Sequence, residues 1–177
     1  MDSPYVSTYL GNRFYLTRPH IDDVAIEDIA HGLAYQCRFN GQTHSFYSVA
    51  QHSLMVMALV APEHRLAALL HDAAEAYLGD MVKPLKTLFP EFSAIEARVM
   101  DIIGRRFAVD LTHLDPSIKR ADLIALATEK RDLMPHSTEA WTTLDGVEPL
   151  AEAIAPLSPS AAKAAFLTTF AALPRDG

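Results

Sequence analysis

The chain has one cysteine, Cys37, so no intrachain disulfide can form and the cysteine-rich secreted scaffolds are excluded. Glycine is sparse, with 7 residues in 177, and there is one tryptophan. Alanine, leucine and methionine are frequent instead, a balance that favours helix over sheet. Long hydrophobic runs are missing: the longest, Leu54–Ala61, falls far short of the ~20 residues a membrane-spanning helix needs. The N-terminus, Met1-Asp-Ser-Pro-Tyr5, has neither the basic nor the apolar stretch of a signal peptide, and a cytoplasmic protein is the expectation. Positive charge is also short. Against 22 Asp and Glu stand 15 Lys and Arg, for a formal charge of −7, which argues against duplex nucleic acid as a partner. A small anion stays compatible with that charge if a metal and a few local cations reverse the field inside one cleft.

What is present is ordinary globular composition, 50% apolar and 21% charged, in a length that suits a single domain over 1–177. Residues 8–16 carry β-favouring side chains around Gly11-Asn12 and read as a hairpin. Asp22 and Asp23 precede a short helix over 26–35, with acids in its first turn as the helix dipole prefers. Ser48-Val-Ala-Gln51 has the form of a capping box for a helix to about Val60. A second helix follows Pro62, over roughly 63–77, and stops near Gly79. Residues 80–90 read as a loop with one turn, and 91–107 as an amphipathic helix through Phe92, Ile95, Val99, Ile102 and Ile103. Asp115-Pro116 gives an N-cap and an N1 proline to a helix reaching Leu133. An irregular wrap containing Trp141 follows, then a last helix from Ser158-Pro159; residues 174–177 are expected to fray. The expected fold is all-α: a compact single-domain bundle of five to six helices with a small N-terminal β-hairpin. Its helical core covers about 26–133, and the wrap and last helix cover 135–171.

The most informative segment is His71-Asp72-Ala-Ala-Glu75, followed by Gly79-Asp80. On a helix these three side chains fall within one turn and can face one cleft. Neutral imidazole with carboxylate suits Mn, Fe, Co, Ni or Zn. From composition alone such a His-Asp-x-x-Glu string arises by chance about 0.03 times in a chain of this kind; its plain alternative is one packed histidine with two solvated acids. His52, on the preceding helix, is either core or ligand. Asp122 stands out more, being set among Ala121 and Leu123-Ile-Ala-Leu-Ala127 where an unpaired carboxylate costs several kcal/mol. Lys119, Arg120 or a metal can compensate it. Met55 and Met57 read as core filler, Trp141 as a packing anchor, and Glu129-Lys-Arg-Asp132 as an exposed or helix-pairing face. The histidines at 20, 31, 44, 64, 113 and 136 read as surface or packing residues.

His52, the His71-Asp72 pair and Asp122, in that order on successive helices, resemble the H…HD…D signature of the HD-domain metal-dependent phosphohydrolases. Ser48-Val-Ala-Gln-His-Ser53 and His71-Asp-Ala-Ala-Glu-Ala-Tyr-Leu-Gly-Asp80 are similar to the bacterial 5′-deoxynucleotidase branch and its short bacterial and phage relatives. The resemblance runs from the hairpin to about Phe170. It implies one divalent metal ion (Mn, Co, Zn, Fe, Ni or Mg) held by His52, His71, Asp72 and Asp122, because the extra histidines of two-metal relatives are absent after the pair. It implies that Glu75 and Asp80 stand beside the reacting water and the departing ester oxygen, in roles left open between them. It further implies phosphate contacts from Arg38, with Phe39 near the base and Lys86 and Lys119 as additional cations. Lys119 is also favoured by its (i, i+3) spacing to Asp122. The expected activity is a 5′-(deoxy)nucleotidase releasing phosphate from nucleoside monophosphates. The alternatives are a deoxynucleoside triphosphate triphosphohydrolase and a non-catalytic helical binding module. Members of that family are often homodimers, and the 91–107 helix is the candidate pairing surface.

Overall fold

A computed structural model describes residues 3–137 and 139–174; the expected fraying of the tail falls on 175–177, outside those described. The architecture is helical with one small antiparallel sheet. Strands β1 (Tyr5–Ser7) and β2 (Arg13–Tyr15) pair in the register Val6 opposite Phe14, and Gly11 N–H donates to Thr8 O across the connecting turn, so the expected hairpin is present but begins before the 8–16 range read for it. Phe14 points inward and stacks on Tyr77 with ring centroids 3.8 Å apart, which pins the hairpin to the bundle.

Eight α-helical segments follow: α1 (Ile26–Tyr35), α2 (Val49–Ala58), α3 (Arg65–Leu69), α4 (Glu75–Leu78), α5 (Lys83–Lys86), α6 (Pro90–Phe107), α7 (Pro116–Leu133) and α8 (Pro159–Ala172). The count exceeds the expected five to six for two reasons. The one-turn α5 lies in the 80–90 loop, where a single turn was expected. The expected continuous helix over 63–77 is broken into a 3₁₀ turn, α3 and α4. Between α3 and α4 the chain makes tight i→i−3 turns, with Ala73 N–H donating to Leu70 O and Glu75 N–H to Asp72 O. His71 and Asp72 sit in that break.

The caps read from the sequence are present. Ser48 Oγ accepts from Gln51 N–H, Asp115 Oδ1 from Ser117 N–H, and Ser158 Oγ from Ala161 N–H. The Ser48 box is half a box, because the Gln51 side chain does not turn back. Its amide donates to Ala155 O and its Oε1 accepts from Leu157 N–H, both at 2.8 Å, and so ties the C-terminal wrap to α2.

The main core gathers Ile29, Leu33, Leu69, Leu70, Ile103, Phe166 and Phe170 between α1, α3, α6 and α8. Close approach of α1 to α4 depends on Gly32: a Cβ there would lie 2.8 Å from Ala76 Cβ. A second cluster joins Val56 of α2 and Val60 just beyond its end to Ile118, Ala121 and Ala125 of α7. Aligning α2 with α7 in this way sets His52 beside the polar positions of α7.

The stretch Glu129–Asp132 corrects its sequence reading as an exposed or helix-pairing face, since each residue is committed within the chain. Lys130 Nζ donates to Glu139 O and lies 4.9 Å from the Trp141 ring. Arg131 donates to Leu150 O and Glu152 O, and Asp132 Oδ2 accepts from Ile154 N–H. Glu129 is fully buried. The signs alternate because the end of α7 clasps the wrap on one side and the polar centre on the other. Among the described residues no helix is long and apolar enough to cross a membrane.

Candidate metal centre

His52, His71 and Asp72 converge, with one ligand atom from each within 4.8 Å of the others, and this group could hold a metal ion. The protein fixes both imidazoles through their Nδ1 atoms. His71 Nδ1 lies 2.8 Å from Ala68 O and His52 Nδ1 lies 2.7 Å from Glu129 Oε1. Both acceptors lack a proton to give, so each neutral ring carries its hydrogen on Nδ1 and turns a bare Nε2 toward its neighbour. Those two Nε2 atoms are buried and hydrogen-bond to nothing. Buried, unsatisfied ring nitrogens cost stability unless something binds them. Two such lone pairs beside a carboxylate are the donor set of a divalent transition metal, and this fits a metal site on chemical grounds.

Asp122, expected as a fourth ligand, lies outside that three-residue group but approaches it from α7, its Oδ1 3.3 Å from His52 Nε2. Its Oδ2 accepts from Lys119 Nζ at 2.7 Å, so of the two candidate side-chain cations Lys119 is the partner. Burial opposes a charge on Asp122, but His52, His71 and Lys119 outweigh it and hold the carboxyl far below the usual range. Asp72 follows the same balance: burial pushes its pKa up, His71, His52 and Arg38 pull it down, and the net shift is downward. For His52, burial and Arg38 oppose protonation, yet Glu129 and Asp122 push its pKa up to about 9.

A cleft of about 390 Å³ opens beside the group, lined by His71, Asp72 and Asp122 at one end and by Met100, Leu111 and Leu114 at the other. Glu75, Lys86 and Lys119 also line it. Breaking the helix at 70–74 therefore leaves His71, Asp72 and Glu75 on one cleft. Glu75 is 7% exposed and its Oε2 has no hydrogen-bond partner. Burial, then Asp72 and Asp80, push its pKa well above the usual carboxylate value. Burial also raises Asp80, whose N–H donates to the Gln36 side-chain oxygen at 2.7 Å. Asp80 does not line the cleft. Lys86 Nζ donates to Glu96 at 2.6 Å and stands 3.9 Å from Glu75 Oε1.

Arg38 and Phe39 lie outside the cleft wall. Arg38 Nε and Nη2 bind Glu129 at 3.1 and 2.9 Å, which leaves Nη1 3.8 Å from Asp72. Phe39 stands 6.2 Å from Trp141 on a strained turn, where both Phe39 and Asn40 have left-handed φ of 55° and 51°. Glu129 is the residue that sequence reasoning missed. Its spacing was the available signal: seven residues after Asp122 is the same face of α7 two turns on.

The fold and donor set define a helical protein with a candidate His/His/Asp metal centre. No family model matches the chain. It is 39% identical over 168 residues to the uncharacterized protein YfdR of Escherichia coli (strain K12), covering 94% of this chain and 93% of the relative. It is also 39% identical over 140 residues to an uncharacterized protein of Rhodobacter capsulatus, covering 72% and 71% of the two chains. The chain belongs to the YfdR family.

Proposed function

We propose that this protein is a metal-dependent phosphohydrolase of the HD superfamily that acts as a 5′-(deoxy)nucleotidase on nucleoside monophosphates. One observation carries the reading: two buried imidazoles, each locked by its Nδ1, direct unpartnered Nε2 atoms toward Asp72 and Asp122 at the end of a cleft. His52, His71, Asp72 and Asp122 would hold one divalent ion, which supplies Lewis-acid polarisation of the phosphoryl group and of water.

The chain's own residues do the rest. Glu75, whose pKa is raised by burial and by Asp72 and Asp80, lines the cleft and is placed to act as the acid toward the leaving 5′-oxygen. Asp80, off the cleft wall, acts through its charge, which raises the Glu75 pKa. Lys86 and Lys119 flank the phosphoryl position and offset charge on its non-bridging oxygens. Arg38 reaches the same region only through Nη1. The aliphatic end at Met100, Leu111 and Leu114 gives the nucleoside an apolar wall.

Charge favours a single phosphate. Lys86 and Lys119, the cleft's two cations, share their charge with Glu96 and Asp122, so the cleft compensates the charge of a triphosphate less fully than that of a monophosphate. The test is phosphate release from all deoxy- and ribonucleoside mono- and triphosphates with Mn, Co, Zn and Mg. Turnover of monophosphates with one or more ions is expected. Release of triphosphate would shift the assignment to a triphosphohydrolase. Neither turnover nor metal uptake would leave a binding module.

A further inference from the structure

We propose that Glu129 is the positioning residue that makes His52 a metal ligand while holding Arg38 against the same centre. The inference rests on the metal site of the proposed function and is independent of the substrate. Glu129 has no exposed surface and divides its oxygens: Oε1 faces His52 Nδ1 at 2.7 Å, and Oε2 accepts from Arg38 Nε at 3.1 Å while Nη2 stands 2.9 Å away as an ion pair. A carboxylate offers only acceptors, so the facing Nδ1 must be the donor. The neutral ring then keeps its lone pair on Nε2, which lies 3.3 Å from Asp122 and 3.6 Å from Asp72.

The second oxygen does a separate job. Arg38 begins a loop whose next two residues are both left-handed, a conformation that persists only when surrounding contacts enforce it. The Nε–H donation and the Nη2 ion pair to Glu129, together with Arg38 N–H to Tyr47 O, supply that enforcement and leave Nη1 facing Asp72. One carboxylate thus sets a ligand's tautomer and a cation's direction at once.

Glu129→Gln separates this from a role in charge balance alone. The amide keeps the shape but has one acceptor end and one donor end. With its oxygen turned to Arg38, its NH₂ meets His52 Nδ1, and the ring must move its proton to Nε2, where a metal cannot bind. Zinc affinity, read by chelator competition, is expected to fall about 10- to 100-fold. Ring ¹⁵N spectra of the metal-free chain recorded above pH 9, where His52 is neutral, should show His52 changing tautomer while His71, held by Ala68 O, does not. Wild-type-like affinity with an unchanged tautomer overturns the inference. A second measurement needs no variant: in the zinc-loaded wild type His52 should keep a slowly exchanging proton on Nδ1, and ligation through Nδ1 would overturn the inference even if Glu129→Gln failed to fold. A wild-type chain that takes up no zinc would instead defeat the proposed function.

Discussion

Two glutamates are buried within this centre, and they are buried in opposite ways. Glu129 is surrounded by donors, and although burial works against its charge, Arg38 and His52 hold its pKa below the ordinary value. Glu75 has one oxygen with no partner, two carboxylates nearby and a lysine at 3.9 Å, and its pKa is raised. Satisfaction makes the first a fixed support. Want of a partner fits the second to the acid role proposed for it, since perturbed groups in clefts are where acid and base roles are found. The same residue type thus serves both sides of the site, and its neighbours decide which.

The comparison can be broken most severely at the ligands that both glutamates flank. Asp72→Ala removes a carboxylate from the His52–His71 group, and turnover and tight metal uptake are both expected to vanish; retained metal-dependent phosphate release would refute the ligand assignment. Glu75→Gln is expected to lower kcat by about 10²- to 10⁴-fold while metal affinity stays near wild type, as measured by parallel kinetics and chelator competition. An equal loss of metal would place Glu75 on the supporting side with Glu129.

Acidity sharpens the contrast. Metal uptake needs an unprotonated His52 Nε2, and its pKa in the metal-free chain is about 9. Affinity should therefore climb about tenfold per pH unit through neutrality and level off near that value. Calorimetry in buffers of different ionisation enthalpy should record about one proton released at pH 7.5. In the metal-free chain the sign is reversed for stability. The raised pKa favours the folded state fully below the unfolded value near 6.5, and that contribution is lost as pH rises through 9.

Smaller effects come from the scaffold on each side. Gly32→Ala must open the α1–α4 contact, at about 1–3 kcal/mol. Because Ala76 adjoins Glu75, activity should fall more than metal affinity. Gln51→Ala unties the wrap from α2 and is expected to cost about 1–3 kcal/mol for two hydrogen bonds. Both are read from denaturant midpoints, and no change in either would show that the contact carries no stability.

Much of this scaffold was legible in the sequence because local chemistry fixes it. Ser48, Asp115 and Ser158 cap the helices they were expected to cap, and the expected hairpin forms. The break at 70–74 was hidden, since Leu-Leu-His-Asp-Ala-Ala has the composition of a continuous helix and only tertiary packing distinguishes the two. At the centre, four spaced residues stood out as a set. Glu129 did not, because a glutamate followed by Lys130, Arg131 and Asp132 looks solvated until Arg38, 91 positions earlier, is seen to meet it. Spacing gave no distinction between Asp80 and Glu75; in the structure Glu75 lines the cleft and Asp80 does not.

The Gln51 link has a consequence for how the protein opens. It joins residues 104 and 106 positions apart, and within that span lie all four residues of the proposed ligand set. Hydrogen exchange at α2 and α7 should then follow whole-molecule unfolding rather than local fraying.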